Sequence, residues 1–307
     1  MQSRLSRLIR RHTSSARLNH TLAYTNHSRS NSNESHASIV ILHGIMGSRL
    51  NFRTMANKIA RSYPNADVIT MDLPGHGDST GNVKASTVKD CASAVEETCQ
   101  SIGVSEPTIV VGHSFGGKVA LKMYERQRDT SSEKKTSAFW ILDSTPGTIN
   151  KDDLNVSDPN SVAGVIESCR SLKTPFAGKD ELMKSLGDLG VAPGIQQWMT
   201  TNIKRQGEHY VWRFDLNIIQ DLFENYGHEN MWPVMSVPPS NVTSLHLVRA
   251  SRNRAWKKKS IVEKVNHAVQ SGGLNVHDID AGHWLHAEKP QEVFDLMDEY
   301  SFRELLV

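Results

Sequence analysis

The chain has 307 residues, 38% of them hydrophobic, with a formal net charge of +2 and three cysteines. That is enough apolar material for a sizeable core, yet no run approaches the roughly 18 apolar residues that cross a bilayer. Cys91, Cys99 and Cys169, odd in number and without metal-ligand spacing, suit a reducing compartment.

The first 36 residues stand apart: Arg4, Arg7, Arg10, Arg11, Arg17 and Arg29 sit among serines and asparagines, with Glu34 the only acid. No apolar stretch of secretory length is present, so the composition reads as an organelle transit peptide, disordered over 1–36. The expected destination is the mitochondrion, with plastid or cytoplasm as alternatives. Without this segment the formal charge falls to −3, and no basic face remains to bind nucleic acid. The later run from Arg252 to Lys259 reads as a solvated loop and helix start.

Beyond the leader, short apolar runs alternate with helical spacing. Residues 38–42 form a run, Phe52, Met55 and Ile59 recur at helical intervals, and 68–71 is apolar again. Val88, Ala92, Val95, Cys99 and Ile102 mark a helix face, on which Cys91 and Cys99 are packing residues. A run at 108–111 leads into Ser114, a helix carries Val119, Leu121 and Met123, and 138–142 is the next strand. This rhythm predicts an α/β fold, a mostly parallel doubly wound sheet. From 144 to 240 it stops, and short helix candidates near Val165, Leu182 and Trp198 suggest an inserted helical lid. Its Trp198, Tyr210, Trp212 and Phe214 are candidates for a pocket lining, or for ordinary packing. Strands at 244–248 and 274–279 then resume, so the core is assigned to 37–143 and 241–307.

Gly112-His113-Ser114-Phe115-Gly116 is a G-x-S-x-G pentapeptide between a strand and a helix, the context in which a serine is lifted clear as a nucleophile. The base is expected at His283, in a Gly-His step after the last strand, with His286 its nearest competitor. His43, His76 and His113, each beside glycine in a tight loop, read as structural, and His113 is also carried as a substrate-pocket candidate. The acid is expected at Asp143, at the carboxyl edge of the sheet; the stretch Val248 to Arg254 has no carboxylate, and Asn253 cannot stabilise an imidazolium as Asp does. Backbone N–H groups for an oxyanion are expected from Phe115 and from Ile45, with Met46 the alternative donor. Met46 and Trp212 are further substrate-binding candidates. Such chemistry requires no cofactor and no metal.

The pieces Leu42-His43-Gly44, Asp72 to Ser79, Gly112 to Lys118, Val211 to Phe214 and Gly282 to Pro290 resemble the α/β-hydrolase superfamily. More narrowly they are similar to small bacterial esterases and to mitochondrial α/β hydrolase domain-containing protein eleven, over about residues 38–303. The resemblance implies an α/β-hydrolase fold and hydrolysis of short or medium acyl esters or thioesters, or of lipid-like esters. It also implies that the acid can come from the strand after the nucleophile helix, as at Asp143. The chain departs from such relatives at Arg249 to Arg254, where they tend to carry a glycine-rich turn. Carbon–carbon bond hydrolysis, perhydrolysis and a non-catalytic ligand-binding role are the rival functions on one fold. The expected partner is a small-molecule acyl substrate, and oligomeric state is left open.

Overall fold

The computed structural model describes residues 21–28, 37–80, 85–129, 135–149, 154–238 and 243–306. It opens with strand β1 (Tyr24–Asn26), then β2 (Ser38–Leu42), α1 (Arg53–Ser62), β3 (Asp67–Met71), α2 (Val88–Ser101), β4 (Ile109–His113), α3 (Phe115–Asp129) and β5 (Ala138–Leu142). An insertion follows. It holds helices α4 (Val162–Ser171), α5 (Lys179–Asp188) and α6 (Pro193–Met199), the antiparallel hairpin β6 (Ile203–Gln206) and β7 (His209–Trp212), then α7 (Leu216–His228) and α8 (Trp232–Met235). The chain returns to the sheet with β8 (Ser244–Ala250), α9 (Lys259–Gln270) and β9 (Asn275–Ile279), and ends through α10 (Leu285–Glu288) and α11 (Pro290–Met297).

The main sheet runs β1-β3-β2-β4-β5-β8-β9, parallel except for β1. Its central strands are buried at every position because helices cover both faces. Side-chain alternation therefore divides each strand between two cores. Ile39 and Ile41 pack with Phe52, Val111 and Trp140, while Val40 and Leu42 pack with Val110, Phe139 and Leu247. The chain winds one way from β2 to β3 and the other way from β4 onward. The loops after β2 and β4 thus meet at the switch point, where a parallel sheet opens a crevice at its carboxyl edge.

Two expectations are corrected. Within the assigned leader, residues 24–26 pair with β3, Tyr24 opposite Met71. Leu22 is buried, and its N–H donates to Thr98 Oγ1 at 2.9 Å. This piece belongs to the folded body, whereas 1–20 and 29–36 lie outside the described residues. The insertion, expected as a helical lid, also contains a hairpin whose outer residues are exposed, which removes the apolar alternation that reveals a strand.

The two ends of the insertion are tied together and to α3. Ile149 N–H donates to Gly227 O and Met231 N–H to Pro146 O, both at 2.8 Å. The fully buried Lys118 Nζ donates to Gly147 O (2.8 Å), Tyr226 O (2.6 Å) and Glu229 O (3.0 Å). Among the described residues, no helix is long and apolar enough to cross a membrane.

Candidate active site

The turn from β4 to α3 forces Ser114 to a φ of +51°, a left-handed conformation that costs a non-glycine residue energy and persists only where its surroundings hold it. Its N–H is held by Leu142 O at 2.9 Å. Crowding explains the flanking glycines: a Cβ at Gly112 would stand 2.1 Å from Gly116 O, and one at Gly116 would stand 2.5 Å from His43 O.

His283, on the loop after β9, brings Nε2 to 3.0 Å from Ser114 Oγ and Nδ1 to 2.7 Å from Asp143 Oδ2. Asp143 directly follows β5 with a φ of +45°, and its side chain is sealed from solvent. A buried carboxylate requires donors, and it has four. Oδ1 accepts from Ala250 N–H (2.9 Å) and Trp256 Nε1–H (2.5 Å); Oδ2 accepts from Asn253 Nδ2 (2.8 Å) as well as from His283. Since a carboxylate only accepts, His283 carries its hydrogen on Nδ1 and turns the lone pair of Nε2 to the serine hydroxyl. Asn253, weighed above as a rival to Asp143, is one of its donors.

The loop after β2 is held by two histidines in reciprocal contact. His43 Nδ1 donates to Gly44 O (2.8 Å) while its Nε2 accepts from Leu73 N–H (3.0 Å). His76 Nδ1 donates to Pro74 O (2.8 Å) while its Nε2 accepts from Met46 N–H (3.0 Å). Burial pushes His43 down to about 4 and His76 down to about 3, the second aided by the neighbouring His43, so both stay neutral acceptors. The bond from Met46, whose φ is +56°, spends its N–H on His76. Ile45 N–H and Phe115 N–H have no acceptor among the described residues; Phe115 opens α3, where the first N–H groups lack helical partners.

His113 and Met46 line the cleft beside Ser114. Burial, with His286 and His283 nearby, holds His113 well below its ordinary pKa. Its Nε2 donates to His283 O at 2.8 Å, so it braces the loop that carries His283. Trp212 is elsewhere: it packs on Phe176 and Phe214 with ring centroids 5.1 and 5.0 Å away, and Trp198 with Trp284 walls the cleft instead. Burial also drives Lys118 down, to about 7, yet its three carbonyl acceptors match the three hydrogens of an ammonium and favour the charged form. Neither Lys118 nor Trp256 is singled out by the sequence: α3 carries Lys118 and Lys122 four residues apart, the spacing of an ordinary solvated helix face.

Space opens on both sides of Ser114. A small limb of about 40 Å³ lies among Met46, Phe52, Trp198, Trp284 and His286. A larger limb of about 190 Å³ runs past Phe115, Thr145 and Tyr226. Ile149, Leu154, Ala163 and Phe223 line both this limb and an outer cavity of about 540 Å³ beside α4 and α7. Among the described residues, no group of three or more histidine, cysteine, aspartate or glutamate side chains is placed to hold a metal ion.

A mostly parallel sheet wound both ways from its switch point, with a serine on the strand-to-helix turn, defines an α/β-hydrolase fold. The chain belongs to the alpha/beta hydrolase family, whose model matches residues 39–296. It is 23% identical over 267 residues to the sn-1-specific diacylglycerol lipase ABHD11 of Mus musculus, covering 85% of this chain and 80% of that one. It is 21% identical over 271 residues to a probable alcohol acetyltransferase of Saccharomyces cerevisiae, covering 83% and 74%. Among solved structures, a marine microorganism esterase superposes with a TM-score of 0.74 at 20% identity, covering 91% of this chain and 99% of that one.

Proposed function

We propose that the protein is a serine esterase that cleaves carboxylic ester or thioester bonds of short- to medium-chain or lipid-like acyl substrates through an acyl-enzyme. Ser114 Oγ attacks the carbonyl carbon as His283 Nε2 takes its proton, and Asp143 stabilises the imidazolium through Nδ1–H. Ile45 N–H and Phe115 N–H, both unspent, receive the oxyanion; removing one such donor costs about 2.7–4 kcal/mol of transition-state stabilisation. His283 then protonates the leaving group, and water activated by the same imidazole releases the acid. The insertion acts as a lid that keeps bulk water from the intermediate.

The observation that carries this reading is the unbroken series from a four-donor carboxylate to imidazole to hydroxyl, at 2.7 and 3.0 Å. The two unequal limbs favour an ester with one short and one long side. The test is labelling by a fluorophosphonate together with hydrolysis of p-nitrophenyl esters from acetate to decanoate. Labelling lost in Ser114→Ala, with turnover of at least one ester in the parent, is expected. A folded parent that neither labels nor turns over any ester or thioester would reject it.

A further inference from the structure

Three residues beyond His283, His286 is a buried histidine that the mechanism does not use. It is 8% exposed, and its Nδ1 is buried without a hydrogen-bond partner among the described residues. The ring stacks on Phe52 at 4.3 Å and 17° and lies 4.4 Å from the ring of His113. Burial and the nearby His283 push it down to about 3, so it is a neutral imidazole with one donor and one acceptor. A phenyl ring would stack equally well there without an orphan polar atom, and orphaned buried polar groups are rare because each carries a desolvation cost. The open space that this ring borders is the small limb beside Ser114.

Asn51 borders the same limb. Its Oδ1 accepts from Ser48 N–H at 2.7 Å, which fixes the orientation of the amide; its Nδ2 has no acceptor among the described residues. The His286 Nδ1 is sealed from the limb as well, so the nitrogen left to face it is Nε2, which has no hydrogen-bond partner among the described residues; with the Asn51 amide it sets two polar groups between aromatic walls formed by Phe52, Trp198 and Trp284. At about 40 Å³ the limb is the smaller of the two spaces beside Ser114 and suits the shorter end of a substrate.

We infer that this limb is a subsite for a short, hydroxyl-bearing end of the ester, recognised by His286 and Asn51, while the long apolar end occupies the limb past Phe223. The inference rests on the esterase reading above. A hydroxyl both donates and accepts, so it can satisfy the imidazole and the amide together, whereas a methyl of the same size leaves both unpaired. Sites built to bond a hydroxyl reject the analogue that lacks it for this reason.

The experiment compares kcat/KM for isosteric pairs on the full chain. 2-Hydroxyethyl octanoate against propyl octanoate places the hydroxyl on the alcohol side. p-Nitrophenyl 3-hydroxybutyrate against the 3-methylbutyrate ester places it on the acyl side. One pair is expected to show a preference of about tenfold for the hydroxyl ester, about 1.4 kcal/mol as a free-energy difference, and the responding pair identifies which half of the substrate enters the limb. His286→Phe should bring that ratio close to one, and Asn51→Ala should reduce it. Thermal unfolding of His286→Phe checks that the stack on Phe52 survives; if that variant is unfolded, Asn51→Ala alone decides. Ester turnover with no hydroxyl preference in either pair, or a preference that survives both substitutions, overturns the subsite and leaves the esterase reading intact. A folded protein without labelling or ester turnover removes both.

Discussion

Replacing Asp143 by Asn gives the sharpest test of the site, because the structure dictates how the amide must sit. Oδ1 faces two donors that cannot change sign, Ala250 N–H and Trp256 Nε1–H. The amide NH2 is therefore forced to the Oδ2 side, where it meets Asn253 Nδ2 and His283 Nδ1. Asn253 Oδ1 is held by Ala255 N–H at 3.1 Å, so its amide turns only by giving up that bond; His283 can answer only by shifting its hydrogen to Nε2. The imidazole would then point a donor at Ser114 and could not take its proton. A trapped tautomer of this kind lowers turnover by about 10⁴-fold, roughly 5.5 kcal/mol of transition-state stabilisation. Asn253→Ala removes one of four donors and leaves the tautomer intact, so it should cost about 2- to 12-fold, from about 0.5–1.5 kcal/mol for one hydrogen bond. The assay is steady-state hydrolysis of p-nitrophenyl butyrate, with thermal unfolding to verify that both variants fold. Turnover of Asp143→Asn within tenfold of the parent, or equal losses in the two variants, would refute the assignment.

His76→Phe leaves Met46 N–H without an acceptor and frees the neighbouring Ile45 N–H to drift; kcat should fall about tenfold or more with KM little changed, and intact kcat would refute the bracing role. Lys118→Met strands three buried carbonyls and should lower stability by about 3–5 kcal/mol in urea unfolding; a loss under 1 kcal/mol would contradict the tie. His43 and His76 have folded pKa values of about 4 and about 3 against an ordinary 6.5, so the unfolded chain binds more protons in that window. Their stabilisation is full above about pH 6.5 and is lost as pH falls toward 4 and 3, worth about 3 kcal/mol for His43 alone; a urea midpoint unchanged between pH 7 and 5 would refute this. Deleting residues 1–36 strips β1 from β3 and should lower the melting temperature by several degrees; a melting temperature equal to the parent's would refute the structural role of β1.

The parallel core was legible because its strands are short apolar runs buried on both faces, and 38–42 and 138–142 agree with β2 and β5 to the residue. β1 was illegible because Tyr-Thr-Asn is short, polar and at the sheet edge, set within a basic tract. Ser114, His283 and Asp143 could be proposed from motif and sheet edge, and the three meet. The choice between Ile45 and Met46 could not be made from local sequence, since it turns on a hydrogen bond to His76, thirty residues away. Trp212 was a reasonable pocket candidate by composition, but which face of a hairpin an aromatic occupies depends on its tertiary neighbours. His286 carried no signal beyond its nearness to His283.

The paired histidines have a consequence for motion. His43 is bonded to the loop that carries His76, and His76 to the loop that carries His43, with the rings 4.8 Å apart edge to face. A cross-brace with two members resists shear as well as separation, so the two loops shift only as one body. The brace therefore ties the backbone that carries Ile45 to the loop after β3. Over this braced floor α4 and α6 set Val162, Val165 and Trp198 as a roof to the cleft, so the wall that stands outside the brace belongs to the inserted segment.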